Sequence, residues 1–205
     1  MARAMLRGGR RYRTRRRRWI GSLLALLVVL ALSTVASYYI WFFPKHIEEV
    51  VYPLAYVDLI DQYATAYALD PARVAAVIYC ESSFRPEAVS SAGAVGLMQI
   101  MPQTGKWVAE KLGEGDYQLQ QLTDPETNIR YGCWYLNYLN GRFDEDMTKV
   151  TAAYHAGGGR VNEWLEDEAN SKDGKKLSNI PSDVTRAYVK NVYAAYEKYK
   201  EIMSA

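Results

Sequence analysis

From Leu54 to its C-terminus this 205-residue chain repeats its apolar residues at one spacing only, every third or fourth position. Nowhere does it alternate apolar with polar over the length of a strand. A repeat near 3.6 buries one face of an α-helix, whereas a half-buried strand needs a repeat of two. The pattern therefore predicts a mainly α fold. Leu54, Val57, Ile60, Ala64, Tyr67 and Ala68 mark a first helix over 54–69. Asp70-Pro71 reads as an N-cap followed by proline at the first helical position, opening a second helix over about 71–82. Pro102 begins a helix carrying Trp107 and Val108. Asp124-Pro125 repeats the cap, and Ile129, Gly132, Cys133, Leu136 and Leu139 form a stripe running to Asn140. Glycine inside a helix costs about 1 kcal/mol against alanine, so Gly132 points to close packing. Met147 to Ala156 reads as a helix stopped by Gly157-Gly158-Gly159. Pro181 to Ser204 reads as a last helix, with Tyr188, Val192, Ala195 and Tyr199 on one face. Residues 88–96, 113–121 and 167–179 read as loops.

The N-terminal quarter is of another kind. Ile20 to Ile40 is a run of 21 residues without a charge, with Trp19 before it and Trp41-Phe42-Phe43 after it. Residues 1–18 hold nine Arg and no Asp or Glu. About 20 apolar helical residues span a bilayer's hydrocarbon core, and flanking arginines stay on the cytoplasmic side. The expected organisation is a cytoplasmic segment 1–18, a transmembrane signal-anchor helix 19–43, a juxtamembrane linker 44–53 and an extracytoplasmic domain 54–205. A cleaved signal peptide is the alternative, with Thr34-Val35-Ala36 as a poor cleavage site and an apolar run longer than usual. No Cys lies near this run, which excludes a lipoprotein anchor.

Removing those nine Arg from the 25 basic residues leaves 16 against 23 acidic ones, a balance of −7 for residues 19–205. A folded basic face for nucleic acid is therefore not expected. Cys80 and Cys133 stand alone. A disulfide is permitted outside the cell, but isolated cysteines are more often small buried hydrophobes. Neither has the company of a zinc site, and neither a metal nor a cofactor is called for.

The chemistry centres on residues 81–102. Val74, Val77, Ile78 and Glu81 share one helix face, so a carboxylic acid stands where the pattern expects an apolar residue. Burial and the C-terminal end of the helix dipole both raise a carboxyl pKa, which suits a general acid near neutrality. The plainer reading is a Glu at the edge of the stripe, reaching water as the helix ends. The small residues 88–96 would let backbone and ligand approach closely. Gln99 is the one polar residue in Leu97-Met98-Gln99-Ile100-Met101, and either satisfies backbone groups or faces a ligand. Ordinary glycoside hydrolysis uses two carboxyl groups flanking the bond. Only Glu81 has a conspicuous setting here, which favours a reaction in which the substrate supplies its own nucleophile.

Four stretches resemble the soluble lytic transglycosylase domain, a lysozyme-like family related to goose-type lysozymes. They are Glu81-Ser82-Ser83-Phe84, the Ala88 to Gln99 run with Pro102, Asn128-Ile129 with Gly132 and Tyr135-Leu136, and Ala153-Tyr154-His155-Ala156-Gly157. Thr185-Arg186-Ala187-Tyr188-Val189 resembles a later motif of the same family. The resemblance covers residues 54–200 and implies a helical lysozyme-like fold. It implies cleavage of the β-1,4 bond between N-acetylmuramic acid and N-acetylglucosamine in peptidoglycan, with Glu81 first as acid and then as base while the C6 hydroxyl closes a 1,6-anhydro ring. It also places Ser90, Met98, Gln99, Tyr154 and His155 along the glycan groove, with Tyr154 alternatively a packed core residue. This chain departs from the family at three positions: His155 replaces the usual Asn, Val184 stands where a Glu is common, and Ser182 replaces an aromatic. Two alternatives stay open at this point. One is a hydrolytic muramidase with Glu126 or Glu163 across the groove, and the other a catalytically idle wall-binding scaffold. Trp107, Trp134 and Trp164 could supply sugar-stacking faces, though most of the aromatics read as core.

Overall fold

In the computed structural model, the described residues are 23–24, 26–43 and 50–204. The chain divides into two units, Met1–Val51 and Tyr52–Ala205. In the first, α-helical bonding over 26–37 gives way to a wider π turn at Tyr38–Phe42, where the Phe43 N–H reaches back to the Tyr38 carbonyl. The expected single span over 19–43 is therefore not reproduced: no helix among the described residues is long and apolar enough to cross a membrane. Residues 1–22, 25 and 44–49, which carry the expected cytoplasmic segment, the start of the span and most of the linker, lie outside the described residues.

The second unit holds seven helices among the described residues: α1 Val57–Ala66, α2 Pro71–Ser82, α3 Pro102–Leu112, α4 Pro125–Arg142, α5 Met147–Ala156, α6 Gly158–Glu166 and α7 Asp183–Ser204. A 3₁₀ turn at Leu119–Thr123 leads into α4. No strand forms among the described residues, and only isolated antiparallel bridges join Val89 to Val95 and Val95 to Ile100. The fold is mainly α, as the apolar repeat requires.

Helix α2 is the centre of the unit. Asp70 caps it by accepting the Ala72 N–H at 2.9 Å, and every residue from Ala72 to Ile78 is buried. Its small side chains let α7 lie closely along it, while α1 packs on another side. The α7 stripe of Tyr188, Val192, Ala195 and Tyr199 is wholly buried, and so is the α4 stripe of Ile129, Gly132, Cys133, Leu136 and Leu139. Gly132 shows why no side chain fits there: a Cβ would stand 2.2 Å from Met98 Sδ.

The first helix is shorter than its pattern. Tyr56 and Ala68 take left-handed backbone angles that end it on both sides, and the Tyr199 hydroxyl donates to the Pro53 carbonyl at 2.7 Å. Val57 and Ala68 consequently face solvent. The expected glycine stop is a single residue. Gly157 turns the chain at φ +89, and Gly158 and Gly159 already belong to α6. Cys80 and Cys133 are both free, and burial pushes the Cys80 thiol up to about 12.

Candidate active site

Glu81 occupies the last turn of α2, and Ser83 and Phe84 break the helix with consecutive left-handed angles. The buried Ser82 hydroxyl donates to the Leu97 carbonyl at 2.8 Å, tying this break to the loop that follows. Desolvation raises the Glu81 carboxyl from 4.5 to about 7, with a hydrogen bond from Tyr188 pulling the other way. That bond, from Tyr188 Oη to Glu81 Oε1, is 2.6 Å long. A carboxyl half-protonated near neutrality is poised to donate a proton and take one back.

Tyr188 is the functional residue that periodicity missed. It reads as one member of the α7 stripe, and its partner lies 107 residues earlier in the chain. The signal was its place in the Thr185–Val189 motif. Replacing Tyr188 by Phe removes a donor that stabilises the carboxylate, so the Glu81 pKa rises further. Activity that needs protonated Glu81 fades as pH climbs through that value. The alkaline limb of the pH–rate profile should therefore move to higher pH in Tyr188→Phe, and a limb that stays put would contradict the role.

The loop between α2 and α3 is held from below by Asn128. Its Nδ2 donates to the Val95 and Leu122 carbonyls at 2.9 and 2.8 Å, and its Oδ1 accepts the Met98 N–H at 2.7 Å. Ser90 closes the tip of the loop, where its Oγ accepts the Ala94 N–H at 3.0 Å. Gln99 has a left-handed backbone, and its Nε2 donates to the carbonyls of Ala88 and Gly96, each at 3.0 Å. The backbone-satisfying reading of Gln99 is thus correct. The residue also lines a cavity of about 260 Å³ together with Thr104, Tyr135, Tyr154 and His155.

The other candidates fall around this cavity in different ways. Tyr154 donates its hydroxyl proton to the Met98 carbonyl at 2.8 Å and rests its ring 5.5 Å from that of Tyr135. Met98 is fully buried, its sulfur packed toward Gly132, so it supports the floor from beneath. His155 is exposed and lies over the Tyr188 ring at 4.6 Å, joining the cavity to the Glu81 pair. The Glu81 charge also acts on the phenols of both Tyr154 and Tyr188. Glu126 accepts the Tyr63 hydroxyl on α1 at 2.7 Å, and Glu163 is exposed on α6. Neither lines the cavity, nor does any other carboxylate. Val184 is 69% exposed. Trp164 is core, whereas Trp107 and Trp134 are half-buried and meet edge to face at 5.1 Å. Among the described residues no His, Cys, Asp or Glu cluster could hold a metal.

The described unit is a helical domain with one half-buried carboxyl raised to about 7, fit to give and take a proton near neutrality. The Transglycosylase SLT domain family matches residues 58–177, more than half of the chain, and the protein belongs to that family. It is 39% identical over 160 residues to the soluble lytic murein transglycosylase of Salmonella typhimurium, covering 77% of this chain and 25% of the relative. It is 32% identical over 168 residues to the membrane-bound lytic murein transglycosylase C of Actinobacillus pleuropneumoniae, covering 72% and 46%. The fold is similar to the crystal structure of the 70 kDa soluble lytic transglycosylase of Escherichia coli. The TM-score is 0.68 at 36% identity, with 76% of this chain and 26% of the other covered. The chain thus spans about a quarter of the length of the first curated relatives it matches.

Proposed function

We propose that this protein is a peptidoglycan lytic transglycosylase. Glu81 gives its proton to the oxygen leaving the C1 carbon of N-acetylmuramic acid, and the C1–O bond breaks. The resulting carboxylate then takes the proton of the same sugar's C6 hydroxyl, and the O6–C1 bond closes a 1,6-anhydro ring. No water enters, and the acid returns to its starting state. The observation that carries this reading is a single carboxyl near pKa 7 whose partner Tyr188 stacks on His155, at the edge of a cavity lined by no carboxylate. A hydrolase would need a second carboxyl there to activate water. The curated relatives named for murein transglycosylation support the same chemistry. Ser90 shapes the loop, Gln99, Tyr154 and His155 line the sugar site, and Met98 acts from beneath.

The reading extends to place. The charge-free run beside the arginines favours a single-pass anchor over residues 19–43, with the N-terminus cytoplasmic and the catalytic unit outside. All described residues from 23 to 43 are exposed, and so large a set of exposed apolar side chains calls for a lipid cover. Digesting purified peptidoglycan with the detergent-solubilised full chain, then analysing muropeptides by mass spectrometry, tests the activity. Anhydro-ended fragments are expected; reducing ends alone, or no cleavage, would overturn the assignment. Fractionation tests the anchor: the protein should stay with membranes through a carbonate wash and leave with detergent.

A further inference from the structure

Arg73 lies in the first turn of α2, and its guanidinium is buried with only part of its bonding capacity met. Nη1 donates to Asn140 Oδ1 on α4 at 3.1 Å, while Nε and Nη2 are shut off from solvent and have no partner among the described residues. These two nitrogens bracket one edge of the planar group, the edge that grips an anion with two parallel N–H bonds. Both unmatched donors therefore converge on one point.

The charge is unmatched as well. Lys149, the other buried cation among the described residues, has the Asp144 carboxylate at 3.4 Å, whereas Arg73 pairs with no described carboxylate. Asp70 is the carboxylate whose field favours the Arg73 charge, but its oxygens accept the Ala72 N–H at 2.9 Å and the Tyr196 hydroxyl at 2.6 Å. Tyr193 is a neutral phenol engaged with Thr148 Oγ1 at 3.0 Å. Burial lowers the Arg73 pKa, yet an arginine does not give up its proton inside a protein. A buried charge with no counter-charge is strongly destabilising, and the positive end of α2 adds to it. Water satisfies the two N–H groups but leaves the charge standing.

We propose that the Nε–Nη2 edge of Arg73 is a buried binding site for one small monovalent anion of chloride's size and charge. The size limit follows from the burial: neither nitrogen is open to solvent, so a bulky organic acid or another protein's carboxylate has no path to both prongs. The anion neutralises the cation that α2 carries against Asn140 on α4 and the tyrosines of α7. Its effect falls on the stability of α2, at the end of the helix away from Glu81.

The detergent-solubilised full chain is unfolded in urea at pH 7.5 while sodium gluconate is replaced stepwise by sodium chloride at constant ionic strength. Gluconate is too large for the site. Chloride should raise the urea midpoint, and well above its dissociation constant each tenfold increase should cut the unfolding constant about tenfold. Arg73→Met, with neither charge nor donors, should lose this chloride-specific response. Asn140→Asp sets a tethered anion against Nη1, so it should be more stable than the parent in gluconate and gain little from chloride; it carries the test should the Met variant fail to fold. Nitrogen-15 NMR reads the site directly, since the shielded Arg73 Nε–H should shift with chloride and stay put in gluconate. Equal midpoints in the two salts, a chloride response kept by either variant, or an unmoved Nε–H would overturn the site.

Discussion

Glu81→Gln should cleave no peptidoglycan and yet be more stable than the wild type above neutrality. The amide keeps the shape of the side chain and an oxygen for the Tyr188 hydroxyl, but it has no proton to give. Loss of a positioned general acid removes about a hundred- to ten-thousandfold in rate, and here the same group serves both halves of the reaction. The loss should therefore exceed about a thousandfold. The gain in stability follows from linkage. The Glu81 carboxyl titrates near 4.5 in its ordinary state and at about 7 in the fold. Between those values the native protein holds a proton that the unfolded chain has released, so stability falls as pH rises through this window and levels off above it. The full difference corresponds to about 3 kcal/mol, and the part of Glu81 that still meets solvent reduces the expected gain to about 2 kcal/mol. Urea titrations at pH 4.5 and pH 8 should thus show equal stability at the lower pH and a more stable variant at the higher. Equal stability at both, or measurable cleavage by the variant, would remove Glu81 from its assigned position.

The sequence made the scaffold legible where each helix solves its burial on one face. Helices α4 and α7 have one-sided stripes, and α2 and α4 have Asp-Pro caps, so pattern and outcome agree there, although α2 is buried on every side from Ala72 to Ile78. Helix α1 is shorter than its stripe because Tyr56 and Ala68 adopt angles that no apolar spacing encodes. Helix α6 was hidden by three consecutive glycines. Only Gly157 needs its positive φ, while Gly158 is a helical residue that the Arg142 guanidinium approaches, 3.3 Å from where a Cβ would stand. In the site, periodicity placed Glu81 on a buried face but left its role open, because the answer lies on a helix more than 100 residues away. Arg73 marks the limit of such reading. A charged residue in a helix of small apolar ones ought to face water, yet it is buried with Nη1 donating to Asn140 Oδ1 at 3.1 Å. Contacts made by distant elements are what one-dimensional spacing cannot carry.

Asn128→Asp should be the most destabilising isosteric change in the domain, with a penalty that grows with pH. Asn128 has no exposed surface, and its two amide hydrogens are aimed at the carbonyls of Val95 and Leu122. An ionised Asp would set a charge against two carbonyl oxygens with no cation to balance it. A protonated Asp would satisfy one carbonyl and leave the other bare. Breaking a buried network in this way costs about 4 kcal/mol near pH 7, a large share of a domain's typical stability. Burial raises the folded pKa of the new carboxyl above its unfolded value near 4. Native protein therefore binds the extra proton, and stability declines as pH rises from about 4. Asn128→Ala, which removes the same bonds without adding a charge, should lose about 3 kcal/mol with no such slope. Asn128 bonds to both Val95 and Met98 in the loop that bears Gln99, so cleavage should fail in both variants at temperatures where α2 and α7 remain folded by circular dichroism. Denaturant melts at pH 4.5 and pH 7.5 decide the matter. An Asp variant within 1 kcal/mol of wild type, or one whose penalty ignores pH, would mean that the loop is held by something other than Asn128.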